Sequence, residues 1–598
     1  MTRLVYRPEV DGLRAIAVIL VIFFHAGYEN FRYGFVGVDM FFVISGYVIS
    51  RTVLYQIDNK TFSIFDFYNR RARRILPLVL SVIITFSVVF YKILLPWEYE
   101  NFAAETIATI SFSNNIYHYI TSANYWGVES DFKALIHTWS LAIEEQYYFL
   151  FPFFMLAFAH TKKYRILYIT LITLSSLIAM VIYVHYNYMG SFFLLPFRAW
   201  EIFFGAAIAL IENTKIRNSL INILLITSIF LIVLTISPQT GFISHELRLI
   251  GVVIGTGTLI FGLSKKSILK NLISSNTIKY IGTLSFSLYM WHQPIFVFGR
   301  LNSLTKPLPN EYLILIIITL ILSILSKHVI EDSFRNKKFV SDKIFYVGLT
   351  ITTVFVTAVS YQIFATGGLP NRWSSKITVS ENGRNANVRF NNSVNDTYFL
   401  KEFPDNGKSN ILVLGNSFAR DFLNVLNSGA KYQNNNISYY YETPICNSED
   451  LNTLALKLPE NHLNNADYII FASSEYMLDC STDDLKRLTN LNDIIVLILG
   501  TKSFGYSTYA NITQLPKDNL GKSLKTPANI LEINKSLAEK IGLENFIDIQ
   551  SLSLNDEGNI IVFDPTGNLV SFDTRHLTKA GAEHLAPRWL GHSKLRDL

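Results

Sequence analysis

The chain has 598 residues, of which 50% are apolar and 16% charged, with a formal net charge of +6. It is longer than one typical domain, and its charged fraction lies below the roughly 25% of soluble proteins, which excludes a wholly soluble chain. The surplus of Lys and Arg sits in loops between apolar stretches, so the charge calls for no nucleic-acid site.

From about Leu13 to Thr366 the sequence is a series of apolar stretches, each near the roughly 20 residues that cross a bilayer as a helix. The expected spans are 13–28, 35–54, 75–95, 136–159, 166–184, 192–211, 219–236, 247–263, 281–299, 311–329 and 344–366, about eleven in all. Arg3 and Arg7 precede the apolar "AIAVILVIFF" as in a signal peptide. No small-residue cleavage site follows, however, and the spans continue at once. With the N-terminus in the cytoplasm, the inner segments hold clusters such as Arg70, Arg71, Arg73 and Arg74, then Lys162, Lys163 and Arg165. The outer loops hold only Arg32, Lys133, Arg248, Arg300 and Lys306, the bias of a positive interior. An odd number of spans then puts the tail outside the cytoplasm.

The tail, from about Asn371, is polar and alternates strand-like and helix-like runs: "NILVLGNS", a helix from about Phe418, "ISYYYET", "DYIIFASSE", "DDLKRLTN", "DIIVLILGT", "NILEINKSLAEKI" and "NFIDIQSL". That order predicts an α/β domain with a parallel sheet and crossover helices. The expected division is a membrane domain over 1–340, a further span and exit over 341–372, a linker over 373–407 and an exported domain over 408–598. The chain's two cysteines, Cys446 and Cys480, both lie in the tail. An oxidising compartment would join them, and two buried thiols are the alternative.

Ionisable residues inside spans are rare and are functional or mutually paired. Arg14 and His25 are eleven positions apart on the first span, hence about 20° apart in azimuth and about 16 Å apart along the axis. They suit a site reaching from the inner surface past the midplane, or else a snorkelling arginine and a histidine satisfied by a neighbour. Arg71 and Arg74, one turn apart at an inner helix end, match phosphate oxygens or simply fix topology. "HTWSLAIEEQYYFLFP" places His137, Trp139, Glu144 and Glu145 toward the outer end of the fourth span, where a carboxylate would orient His25. Arg198 and Glu201 read as a structural pair. His292 is a pocket-lining or packing histidine of the outer half.

In the tail, Ser417 falls at the carboxyl end of the first strand, where a nucleophile belongs. "SFDTRHLTKAGAEHLA" supplies Asp573 and His576 three apart, the acid and base such a serine needs. No His/Cys/Asp cluster has metal-ligand spacing, so no metal is expected.

Six segments in one order resemble the acyltransferase-3 membrane family: Arg14-x10-His25, "GVDMFFVISG", "RRARRILP", "TWSLAIEEQYY", "SLYMWHQP" and "EDSFR", covering roughly residues 5–340. The resemblance implies acetyl transfer from cytoplasmic acetyl-CoA to a glycan. It makes Arg14 and His25 essential, assigns Arg71 and Arg74 to coenzyme A, and lines the active site with the segments containing Ser45, Glu144 and Glu145. Residues 408–590 are similar to the SGNH hydrolase fold, with Asn416 where that family usually has Asp and without a "Gly-x-Asn" block; "FASSEYM" and "LGTKSFG" occupy its place. Fusions of this kind acetylate bacterial surface polysaccharides. The expected protein is therefore a multi-pass inner-membrane O-acyltransferase with a cytoplasmic N-terminus and a periplasmic tail. Its donor is acetyl-CoA, bound from the cytoplasm at Arg14, Ser45, Arg71 and Arg74, and its bases are His25, helped by Glu144, and His576 of the Ser417–His576–Asp573 set. The acetyl group reaches the sugar directly or through an acyl-Ser417 intermediate, and the acceptor is lipopolysaccharide O-antigen, with capsule, peptidoglycan and lipid-linked oligosaccharides as other acceptors. A membrane-anchored glycan esterase and a lipid or sugar transporter are the rival readings.

Overall fold

The computed structural model describes residues 5–122, 130–158, 162–214, 216–265, 268–373, 389–394, 397–398, 400, 402–429, 435–440, 462, 465–472, 494–515 and 524–596. The chain divides into two compact units: Met1–Leu94, Glu98–Arg300 and Pro307–Leu369 form the first, and Leu95–Trp97, Leu301–Lys306 and Pro370–Leu598 the second.

The first unit is helical. Its long helices are α1 (Pro8–His25), α2 (Gly37–Asp58), α3 (Ile64–Tyr91), α4 (Thr138–Ala157), α5 (Arg165–Tyr183), α6 (Leu195–Ile211), α7 (Asn218–Ile236), α8 (His245–Leu263), α9 (Asn276–Leu301), α10 (Tyr312–Ser326) and α11 (Asp342–Ala365). Among the described residues, eight helices are long and apolar enough to cross a membrane, against about eleven expected. The three that fall short are α1, α4 and α9, and the cause is chemical. They carry Glu9, Asp11 and Arg14, then Glu144 and Glu145, then Lys279, His292 and Arg300. All three contribute residues to the candidate sites. By contrast α7 leaves Ile223, Ile226, Phe230 and Val233 exposed, a face suited to lipid.

Glycines set how closely α2 and α6 approach. A Cβ on Gly46 would lie 1.9 Å from the Ile202 carbonyl oxygen, and one on Gly205 2.1 Å from that of Val43. Small residues at a crossing let two backbones touch. The same pair of helices buries the Arg198 guanidinium against Asp39, with Glu201 at 3.2 Å, so the expected structural pair is a three-residue group.

The second unit contains a five-stranded parallel sheet of β1 (Asn410–Gly415), β2 (Asn436–Tyr440), β3 (Tyr468–Ala472), β4 (Ile495–Leu499) and β5 (Phe546–Ile547), in the order β2-β1-β3-β4-β5. Ile411, Leu412, Val413 and Leu414 are all fully buried, as an unbroken apolar run in a parallel sheet covered on both faces must be. Helices α12 (Ser417–Ser428), α13 (Ala528–Ile541) and α14 (Lys579–Leu590) belong to this unit. Because β1 pairs with β2 on one side and β3 on the other, the strand order reverses beside β1. A crevice opens at the carboxyl end of such a strand, and Ser417 stands there. The expected helix "DDLKRLTN" and the Cys446–Cys480 bridge lie outside the described residues.

Candidate functional sites in the two units

In the helical unit, Arg14, Ser45, Arg71, Arg74 and Glu144 line one cavity with Ser140, Tyr148 and Tyr289. Four helices supply them: α1, α2, α3 and α4, with Tyr289 from α9. Three guanidinium groups face one carboxylate, so the cavity is cationic. Arg71 lies over the Tyr148 ring, 3.9 Å from its centroid, and 3.8 Å from Glu145. Its Nε is buried without a hydrogen-bond partner, an orphaned donor that an anionic ligand would satisfy. Arg14 Nη1 lies 3.4 Å from Asp11 Oδ1.

Glu144 was expected beside His25, and the structure corrects this. Its carboxylate accepts from Ser45 Oγ at 3.0 Å and from Tyr148 OH at 2.9 Å, in the arginine cavity. Tyr148 lies one turn on from Glu144 along α4, so both face α2 and α3 rather than the end of α1.

His25 lines a second cavity of about 290 Å³ with Trp139, His137, Asp39, Arg198, Tyr188 and several aromatic rings. That volume lies at the lower edge of small-molecule sites. The His25 ring is 5.2 Å from that of His292, which is 5.3 Å from His137. Among the described residues no group of three or more His, Cys, Asp or Glu could hold a metal ion. His25 Nδ1 is 3.0 Å from the Val21 carbonyl oxygen. A carbonyl only accepts, so that nitrogen carries the proton and Nε2 keeps its lone pair. His292 is held the same way, with Nδ1 2.7 Å from the Tyr289 carbonyl oxygen. Tyr289 lines both cavities, a residue sequence reasoning passed over although it stands inside "SLYMWHQP".

In the second unit, the end of β1 requires Gly415, whose φ is +152° and whose Cβ would lie 2.2 Å from the Ala472 carbonyl oxygen. Asn416 then caps α12, its side chain accepting from the Phe418 N–H at 3.0 Å. Asn at this position supplies the cap that Asp would supply. Ser417 opens the helix, so a charge developing beside it meets the positive end of the helix dipole. Its Oγ is 2.8 Å from His576 Nε2, and His576 Nδ1 is 2.6 Å from Asp573 Oδ2. Asp573 Oδ1 also accepts from the backbone N–H groups of Arg575 and His576, at 3.0 and 2.7 Å. Burial alone would raise Asp573, but the His576 imidazole and these N–H donors outweigh it and hold the carboxyl below the usual carboxylate range. An ionised Asp573 fixes the proton on Nδ1 and leaves Nε2 to accept from Ser417.

The segment "LGTKSFG" is described, and its polar groups turn inward. The Thr501 and Ser503 amides bond Asn534 and Gln550, and Lys502 bonds Asp421 at 2.7 Å. No oxyanion donor comes from those groups. "FASSEYM" lies outside the described residues beyond Ala472.

A many-helix unit with a cationic cavity and a histidine-lined one, and a second unit with a serine–histidine–aspartate set at a sheet's switch point, define a polytopic helical domain joined to a serine-hydrolase-like domain in one chain. The family model for acyltransferase-3, described as an acyltransferase domain, matches residues 7–328, and that of the SGNH domain fused to such domains matches residues 389–591. The chain belongs to the acyltransferase-3 family. It is 29% identical over 364 residues to the peptidoglycan O-acetyltransferase OatA of Listeria monocytogenes, covering 56% of this chain and 57% of the relative. It is 30% identical over 357 residues to the putative peptidoglycan O-acetyltransferase YrhL of Bacillus subtilis, covering 56% of each. It is 29% identical over 354 residues to the O-acetyltransferase OatA of Staphylococcus aureus, covering 56% of this chain and 58% of that one. The chain thus spans little more than half the length of the curated relatives it matches. No solved structure matches it.

Proposed function

We propose that this protein is a membrane O-acyltransferase that takes acetyl from acetyl-CoA on the cytoplasmic side and esterifies a hydroxyl of a bacterial surface polysaccharide. The observation that carries this reading is the pair of cavities served by α1. Arg14 lies in a cationic one with Ser45, Arg71, Arg74 and Glu144, and His25, its Nδ1 engaged by the Val21 carbonyl, lines the other. The arginines bind the donor's phosphates or thioester end. His25 Nε2 takes the proton of a first acceptor hydroxyl as its oxygen attacks the thioester carbonyl; the C–S bond breaks, the ester C–O bond forms, and the proton passes to the departing coenzyme A thiolate. The tail lies outside the cytoplasm, and Ser417 there attacks that ester, releases its hydroxyl and carries the acetyl group to the sugar as an acyl-serine. His576 accepts the serine proton and hands it to the departing hydroxyl, then accepts the sugar's proton and returns it to Ser417.

For the acceptor, the sequence reading named O-antigen, and the names of the relatives point to peptidoglycan. Quantifying ester-linked acetate on each glycan fraction of cells carrying wild type, His25→Ala and Ser417→Ala decides between them. It also tests the division of labour. Both variants lose acetate from the same glycan under this reading. An esterase would instead need Ser417 alone, and a transporter would leave acetate unchanged in both.

A further inference from the structure

Behind the serine set lies a buried ion pair that the reading above does not use. Lys502 Nζ is 2.7 Å from Asp421 Oδ2, and both side chains are fully buried. Burial pulls the ammonium below the usual lysine value even with Asp421 beside it. Such pairs contribute little to stability relative to apolar residues of the same size, so their presence here asks for another explanation. Location supplies it. Asp421 is one turn beyond Ser417 on α12, and its other oxygen, Oδ1, accepts from the Leu577 amide at 3.1 Å. Leu577 follows His576. The Lys502 ammonium also sits 3.9 Å from the centre of the Phe418 ring. A closed ring of contacts results: Ser417, one turn of helix, Asp421, Leu577, His576 and back to Ser417.

We propose, resting on the assignment of Ser417 as nucleophile, that Asp421 is a positioning residue for His576: held by Lys502, it fixes the Leu577 amide and so keeps the imidazole over the serine. Neither residue touches a reacting atom. Lys502 supplies the counter-charge and Asp421 the acceptor.

The test uses the full-length protein in detergent and a fluorophosphonate probe, which reads Ser417 without requiring acetyl transfer. The serine oxygen forms a bond to phosphorus, fluoride leaves, and the serine proton passes through His576 to solvent. Two double variants avoid leaving a lone buried charge. Lys502→Met with Asp421→Asn keeps an acceptor for the Leu577 amide, whereas Lys502→Met with Asp421→Leu removes it. The proposal predicts that the Asn variant retains most of the wild-type labelling rate. The Leu variant should lose about tenfold or more, with both variants labelled well below their melting temperatures, as misplacement of a catalytic group does. Equal labelling by the two variants overturns it. Failure of the wild type to label at Ser417 overturns the assignment of the nucleophile, and the proposal with it.

Discussion

Asp573 shows how one residue fixes chemistry. Its carboxylate accepts from the imidazole and from two backbone amides, so replacing it removes the group that sets the His576 tautomer. Asp573→Asn should therefore slow probe labelling of Ser417 by about a hundredfold or more, read as the labelling rate of intact protein. The same residue carries a pH-dependent stability. Its folded-state pKa is depressed, so its contribution is complete above the unfolded value of about 3.9 and is lost as pH falls through the lower folded value. The gap in melting temperature between wild type and Asp573→Asn should narrow from about pH 6 to about pH 3. A gap that widens on acidification contradicts the assignment.

Helices and strands differ in how openly the sequence announces them. β1 was legible because four buried apolar residues run without a break into Gly415 and a capped helix, and the serine set was legible because its acid and base lie three residues apart. The partner of Glu144 was not. A helix's sequence gives the level of a side chain along its axis, but the neighbour it faces depends on packing, and α4 turns Glu144 to Ser45. Lys502 and Asp421 were hidden for a related reason: 81 residues apart, each reads as an ordinary surface charge until the fold buries both. Packing also gives the element-scale prediction. A side chain at Gly46 must push the Ile202 carbonyl away, and overpacking of this kind costs about 1–3 kcal/mol. Gly46→Val should lower the melting temperature in detergent, and it should lower activity as α2 carries Ser45 out of place. Neutralising the cavity is a separate matter. Arg71→Gln should raise the KM for the acyl donor with little change in melting temperature, measured in steady-state assays.

Across the whole molecule, the central claim is that a donor on one side of a bilayer and an acceptor on the other are served by one chain. The loop charges, the polar helices and the two family matches support this proposal from different directions. The most direct measurement supplies acetyl-labelled coenzyme A to the cytoplasmic face of sealed inside-out vesicles containing surface glycan, with wild type, His25→Ala and Ser417→Ala compared. The account predicts label on the enclosed glycan with wild type and none with either variant. Wild-type vesicles that leave the enclosed glycan unlabelled, or label it as well with His25→Ala, would contradict it.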